Sequence, residues 1–108
     1  MSDNSLAVNE AIETAERIED MDNMDELDPL DVKIETSIHG GSPTVGDVTL
    51  VLTTGGPHVE YCPTRGTVSV SWGGDYHTTH VNNDALNDEV DRFYTRQFED
   101  HYLADSSR

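Results

Sequence analysis

The sequence predicts an α+β fold, an antiparallel meander of four to five strands packed by a C-terminal helix and preceded by an acidic amphipathic helix. Three observations carry this prediction. Apolar residues recur at helical spacing at both ends of the chain, they alternate with polar residues in between, and glycine- or proline-rich turns separate the alternating runs.

Over residues 5–20, Val8, Ala11, Ile12, Ala15 and Ile18 form the thin apolar stripe of a helix whose other faces carry Glu10, Glu13, Glu16 and Glu19. Such a helix needs a partner surface to stay folded, either this domain, a second copy or another protein. Residues 21–29 concentrate carboxylates without periodicity and end in Pro29, so they read as a linker. The expected organisation is an acidic helix and linker over 1–29 and an α+β domain over 30–104.

Leu30, Val32, Ile34 and Ile38 alternate with Asp31, Lys33, Glu35 and Ser37, the period of a half-buried first strand. Residues 39–46 have the glycine and proline density of a flexible hairpin loop. The second strand, 47–54, places Val48, Leu50 and Leu52 on one face and Val51 on the other, which predicts a central strand partly covered on both sides. A short third strand at 58–62 follows Gly55-Gly56-Pro57, and the turn 63–66 leads to a fourth at 67–72 with Val68, Val70 and Trp72 on one face. After Gly73-Gly74-Asp75, residues 76–81 make a fifth, edge strand. Asn82, Asn83 or Asp84 can cap the closing helix, 85–103, whose stripe is Leu86, Val90, Phe93, Tyr94 and Phe98.

Charge dominates the composition. Twenty-two acidic residues face six basic ones for a net of −16 over 108 residues, and Lys33 is the sole lysine. Carboxylates spread through every segment fit a surface adapted to concentrated salt, where charge is screened over a few ångströms, and point to a halophilic archaeal source. The competing reading is an acidic mimic of DNA. Direct binding to nucleic acid is disfavoured by sign. A single cysteine, Cys62, excludes an internal disulfide and CxxC zinc motifs. With neither a signal peptide pattern nor a membrane-length apolar run, the expected location is the cytoplasm. A folded core of about 75 to 80 residues is only marginally able to bury its surface, so self-association is an open expectation.

No constellation satisfies the demands of catalysis. His58, Cys62, His77 and His80 lie near turns of neighbouring strands, but His77 and His80 differ by an odd number and should point to opposite faces. His58, Glu60 and Cys62 share a face opposite Val59 and Tyr61. Cys62 precedes Pro63 at a strand end, without a helix N-terminus to activate it. The glycine doublets lack the lysine of a phosphate loop, and Asp75 and Asp84 carry no information in so acidic a chain. Catalytic, cofactor and metal residues are therefore expected to be absent. Trp72 is either core or an anchor for a protein partner, with Tyr76 and Tyr61 within reach.

Asp28-Pro-Leu-Asp-Val32 entering a strand, Leu50-Val-Leu-Thr-Thr-Gly-Gly-Pro57 at a strand end, Trp72 beside a turn and Phe93-Tyr94 in a closing helix resemble an uncharacterised family of small proteins carried by phages, prophages and other mobile elements. The resemblance spans residues 28–98. It departs at Trp72-Gly-Gly-Asp75, since the family tends to place an aspartate ahead of the tryptophan. It implies a mobile-element context and names no catalytic residue. The expected function is that of a non-enzymatic interaction protein binding a protein partner. The alternatives are a DNA-mimic inhibitor of a nuclease or CRISPR complex, and a small enzyme using Cys62 and a histidine.

Overall fold

The computed structural model describes residues 6–100, except for the side chains of His39, Ser42 and Pro43. In chain order it contains α1 (Leu6–Glu19), a single 3₁₀ turn (Met24–Glu26), β1 (Asp31–His39), β2 (Ser42–Thr53), β3 (His58–Cys62), β4 (Thr67–Trp72), β5 (Asp75–His80) and α2 (Asp84–Phe98). The strands form one antiparallel sheet in the order β1-β2-β3-β4-β5, as the meander predicts. The expected ends of the chain's helices at Ser5 and Leu103 fall outside the described residues. No helix among those described is long and apolar enough to cross a membrane.

Both helices lie on one face of the sheet, α1 across β4 and β5 and α2 over β2. Between them and the sheet, Ala7, Ala11, Ala15 and Ile18 meet Val48, Leu50, Val59, Tyr61, Val68, Val70, Val81, Leu86 and Val90 in a single core. The boundary expected at residue 29 therefore divides elements that share this core. The predicted linker is also built in. Met21, Met24 and Leu27 pack against the core, and the Asn23 side chain caps the 3₁₀ turn by accepting from the Asp25 N–H at 2.9 Å.

The buried face of α1 is rotated from the predicted stripe. Ala7, Ala11, Thr14, Ala15 and Ile18 are buried, whereas Ile12 is exposed. Small side chains let the helix axis approach the sheet closely, and the bulkier Ile12 is turned outward.

Two strands differ from expectation for local reasons. Residues 39–46 are not a flexible loop. Gly40 and Gly41, at φ +60° and +84°, make the two-residue turn whose twist matches the flanking strands, so pairing continues to His39↔Ser42. Gly46 and Asp47 then stand against Glu35 as a bulge, between the pairs Ile34↔Val48 and Thr36↔Val45, which lets Val45 and Val48 share the core face despite their odd spacing. The central strand is β3 and not β2. Val51 is nevertheless buried on the face away from the helices. The β4–β5 turn repeats the glycine device at Gly73-Gly74, and β5 is the edge strand predicted.

Asn83 ties the two helices together. Its Oδ1 accepts the Leu86 N–H at 3.2 Å, capping α2, while its Nδ2 donates toward the carbonyls of Ile18 and Glu19 in the last turn of α1 and of Met21 just past it, at 3.2–3.3 Å. Beside it the Glu19 carboxylate accepts the Asn82 N–H at 2.7 Å.

Candidate functional site

The sheet has one closed face and one open face, and the open face collects the polar chemistry. Strand register arranges it in rows. His58, Ser71 and Tyr76 form one row across β3, β4 and β5, Glu60, Ser69 and Thr78 the next, and Cys62, Thr67 and His80 the third. Of these, Tyr76, Glu60, Ser69, Thr78, Cys62 and Thr67, together with Glu35, Asp47, Thr49 and Arg65, line a shallow depression of about 330 Å³.

Its electrostatics centre on Glu60. Oε2 of Glu60 lies 2.7 Å from His58 Nε2 and 2.8 Å from Lys33 Nζ. These two contacts, that of His58 foremost and that of Lys33 next, hold the Glu60 carboxyl below its ordinary value. At the rim, Arg65 places Nε and Nη2 on Asp47 Oδ2 at 2.9 and 2.8 Å. Ser69 Oγ and Thr78 Oγ1 are 2.9 Å apart, and both hydroxyls, Ser69 foremost, lower the pKa of the Tyr76 phenol beside them.

The arrangement does not bring Cys62 to a histidine. Cys62 and His58 share the open face, but four residues of strand separate them by about 13 Å. Across the row, Thr67 stands between Cys62 and His80, two strand spacings or about 10 Å apart. His77 lies on the helix side of β5, paired with Val70, and His80 on the open side, as their odd spacing predicts. Among the described residues, no three His, Cys, Asp or Glu side chains gather to hold a metal ion.

The three aromatic residues expected to form one partner surface are placed in three different environments. Tyr61 is fully buried. Its hydroxyl donates to Asn87 Oδ1, Asn87 Nδ2 donates to the Val81 carbonyl at 3.2 Å, and burial pushes the phenol pKa up. Tyr61 is thus a core residue and unavailable to a partner. Trp72 is half-buried on the helix side, packed against the core with its indole by the β2–β3 turn, where a Cβ on Gly56 would stand 3.6 Å from Nε1. Tyr76 alone is presented to solvent, 69% exposed on the open face. Strand parity carries this separation, because Trp72 pairs with Asp75 and Tyr76 with Ser71.

Sequence reasoning placed His58, Glu60 and Cys62 together but missed the participation of Lys33 and Asp47. Both come from β1 and β2, and the bulge opposite Glu35 decides which of their residues reach the open face. Comparison with protein-family models, with curated proteins and with solved structures finds no match.

Proposed function

We propose that this chain is a small, salt-adapted, non-enzymatic interaction protein of viral or mobile-element origin, and that the open face of its sheet binds a protein partner with a basic contact surface. The observation that carries the reading is Tyr76, an aromatic side chain left 69% exposed on a sheet face where Glu35, Asp47 and Glu60 line the neighbouring depression. A half-polar aromatic ring within a polar rim has the character of an interface anchor. The net charge of −16 selects a basic partner by complementarity. The separation of Cys62 from both histidines on its face supports a binding role over catalysis.

The test compares the chain with its Tyr76→Ala variant, first in affinity capture from its host at high salt and then in calorimetric titration of the purified captured protein. Loss of the anchor is expected to weaken binding at least about tenfold, or about 1.4 kcal/mol, with the fold unchanged. Equal affinity of the two forms would remove Tyr76 from the interface and the proposal with it. If the captured protein is a nuclease and DNA competes with the chain for it, the partner surface is a nucleic-acid groove and the acidity acts as mimicry.

A further inference from the structure

The sheet is incompletely covered at one edge. Among the described residues, β1 is hydrogen-bonded to β2 alone, ends the sheet, and lies outside the main contacts of both helices. Its helix-side residues include Val32 and Ile34, which are partly buried, and at its two ends Leu30 and Ile38, which are 64% and 72% exposed. We infer that β1 pairs antiparallel with β1 of a second copy, about a two-fold axis at Ile34, to form a continuous ten-stranded sheet.

The register follows from charge and parity. An axis at Ile34 sets Lys33 opposite Glu35 of the second copy and Glu35 opposite its Lys33 on the open face. On the helix side it sets Leu30 opposite Ile38, Val32 opposite Thr36, and Ile34 opposite Ile34. Both exposed apolar ends gain a partner, Glu35 gains an opposite charge, and Lys33, already paired with Glu60, gains a second one. An axis at Glu35 opposes two glutamates, and one at Lys33 opposes two lysines as well as Asp31 and Glu35. An axis at Val32 pairs Lys33 with Asp31 but uses a shorter stretch, runs into Pro29 and leaves Ile38 exposed. An axis at Thr36 carries Leu30 past the turn at Gly40-Gly41 and gives Lys33 and Glu35 no opposite charge. A one-residue slip brings the helix side of one copy level with the open side of the other.

Sterics permit the arrangement. α2 lies over β2, so the two copies of α2 stand three strand spacings apart, about 14 Å, which exceeds a helix diameter of about 10–12 Å. Net charge opposes it at low ionic strength, where two chains of −16 repel over a screening length of about 30 Å at 0.01 M salt; at 1 M the length is about 3 Å and contacts at the seam decide.

Two measurements on the full chain test the pairing. Sedimentation equilibrium in about 1 M and about 0.01 M KCl, the two regimes just described, is expected to give twice the 12.0 kDa chain mass at high salt and the single mass at low salt. In a Cys62→Ser background, Leu30→Cys and Ile38→Cys chains mixed at high salt are expected to form a disulfide-linked dimer under mild oxidation, while neither cross-links with itself. Both positions are exposed, so folding is little affected. A chain monomeric at every salt concentration overturns the inference, and so does a dimer in which the mixed pair fails to cross-link or either variant cross-links with itself.

Discussion

Replacing Asn83 by aspartate separates two jobs that one side chain performs. As a helix N-cap, aspartate equals asparagine and adds a favourable charge at the helix start, so an Asn83 that only capped α2 would tolerate the change. The structure predicts otherwise, because Nδ2 also faces the carbonyls of Ile18, Glu19 and Met21. An amide nitrogen has two hydrogens for these three acceptors and the contacts are long, so their net value is about 1 kcal/mol. A carboxylate there also meets the negative end of α1, an added cost of about 0.3–1 kcal/mol. Asn83→Asp should thus lose about 1–2 kcal/mol. Asn83→Ala, which loses the cap at about 1 kcal/mol as well as the bridge, should lose about 2 kcal/mol. At about 4–8 °C per kcal/mol for a domain of this size, the aspartate variant melts about 4–16 °C lower. Circular dichroism melts in concentrated KCl, where the cost of the extra charge is screened, isolate the lost bridge and should show the lower end of this range. An aspartate variant as stable as the parent would refute the bridge and leave the docking of α1 to its apolar face and the Glu19–Asn82 contact.

Other outcomes follow from named contacts. Tyr61→Phe keeps the packing but leaves the buried Asn87 Oδ1 without its donor, an expected loss of about 1–3 kcal/mol in urea unfolding. Gly66→Ala should cost a similar amount, about 1–2 kcal/mol, since Gly66 sits at φ +68° and a Cβ would stand 3.0 Å from Asn87 Nδ2. Glu60 is held below its ordinary 4.5, so its contribution is present above that pH and lost as pH falls through the folded value; Glu60→Gln should flatten the acid limb of the stability curve below about pH 4.5. Tyr61 is raised above its ordinary 10.0, so stability is intact below pH 10 and falls as pH rises toward the folded value. Tyr76 is shifted downward, so in an alkaline titration at 295 nm the earliest phenolate should vanish in Tyr76→Phe, and the signal of Tyr61 should appear last, with unfolding.

The parts of this fold that were legible in the sequence are those governed by local rules. Strands β3 and β4 coincide with their predicted spans because alternation and flanking turns define each over five or six residues. The antiparallel meander follows in the same way, and of the three cap candidates Asn82, Asn83 and Asp84 the structure uses Asn83. What escaped the sequence depends on distant partners. Alternation cannot announce the bulge at Gly46 and Asp47, which is defined by pairing with β1, and the extended β1–β2 hairpin follows from it. The stripe of α1 was misplaced because a periodicity weighted by hydrophobicity favours Ile12, whereas the sheet selects the small face of Ala7, Ala11 and Ala15. The site suffered most. Sequence proximity grouped Trp72, Tyr76 and Tyr61, and strand parity together with burial distributes them between the closed face, the open face and the core.

The economy of the fold explains why an edge is left over. Fifteen-residue α2 and fourteen-residue α1 cover β2, β4 and β5 directly and enclose β3 between them, which exhausts the helical surface of the described chain. A domain this small buries a limited fraction of its surface, and a longer first hairpin adds apolar residues faster than the helices can cover them. Leu30 and Ile38 are that surplus, at opposite ends of one nine-residue strand. Two-fold pairing places the ends of one copy on the opposite ends of the other, so the same strand is both the uncovered surface and its cover. The net charge then acts as a regulator of assembly. It keeps an edge strand from pairing in dilute salt and permits pairing in brine, a dependence on ionic strength opposite in sign to that expected for an acidic face binding a basic partner. A salt series that strengthens self-association while weakening partner binding would therefore separate the two surfaces in a single set of measurements, and parallel salt dependences would show that at least one of them is misassigned.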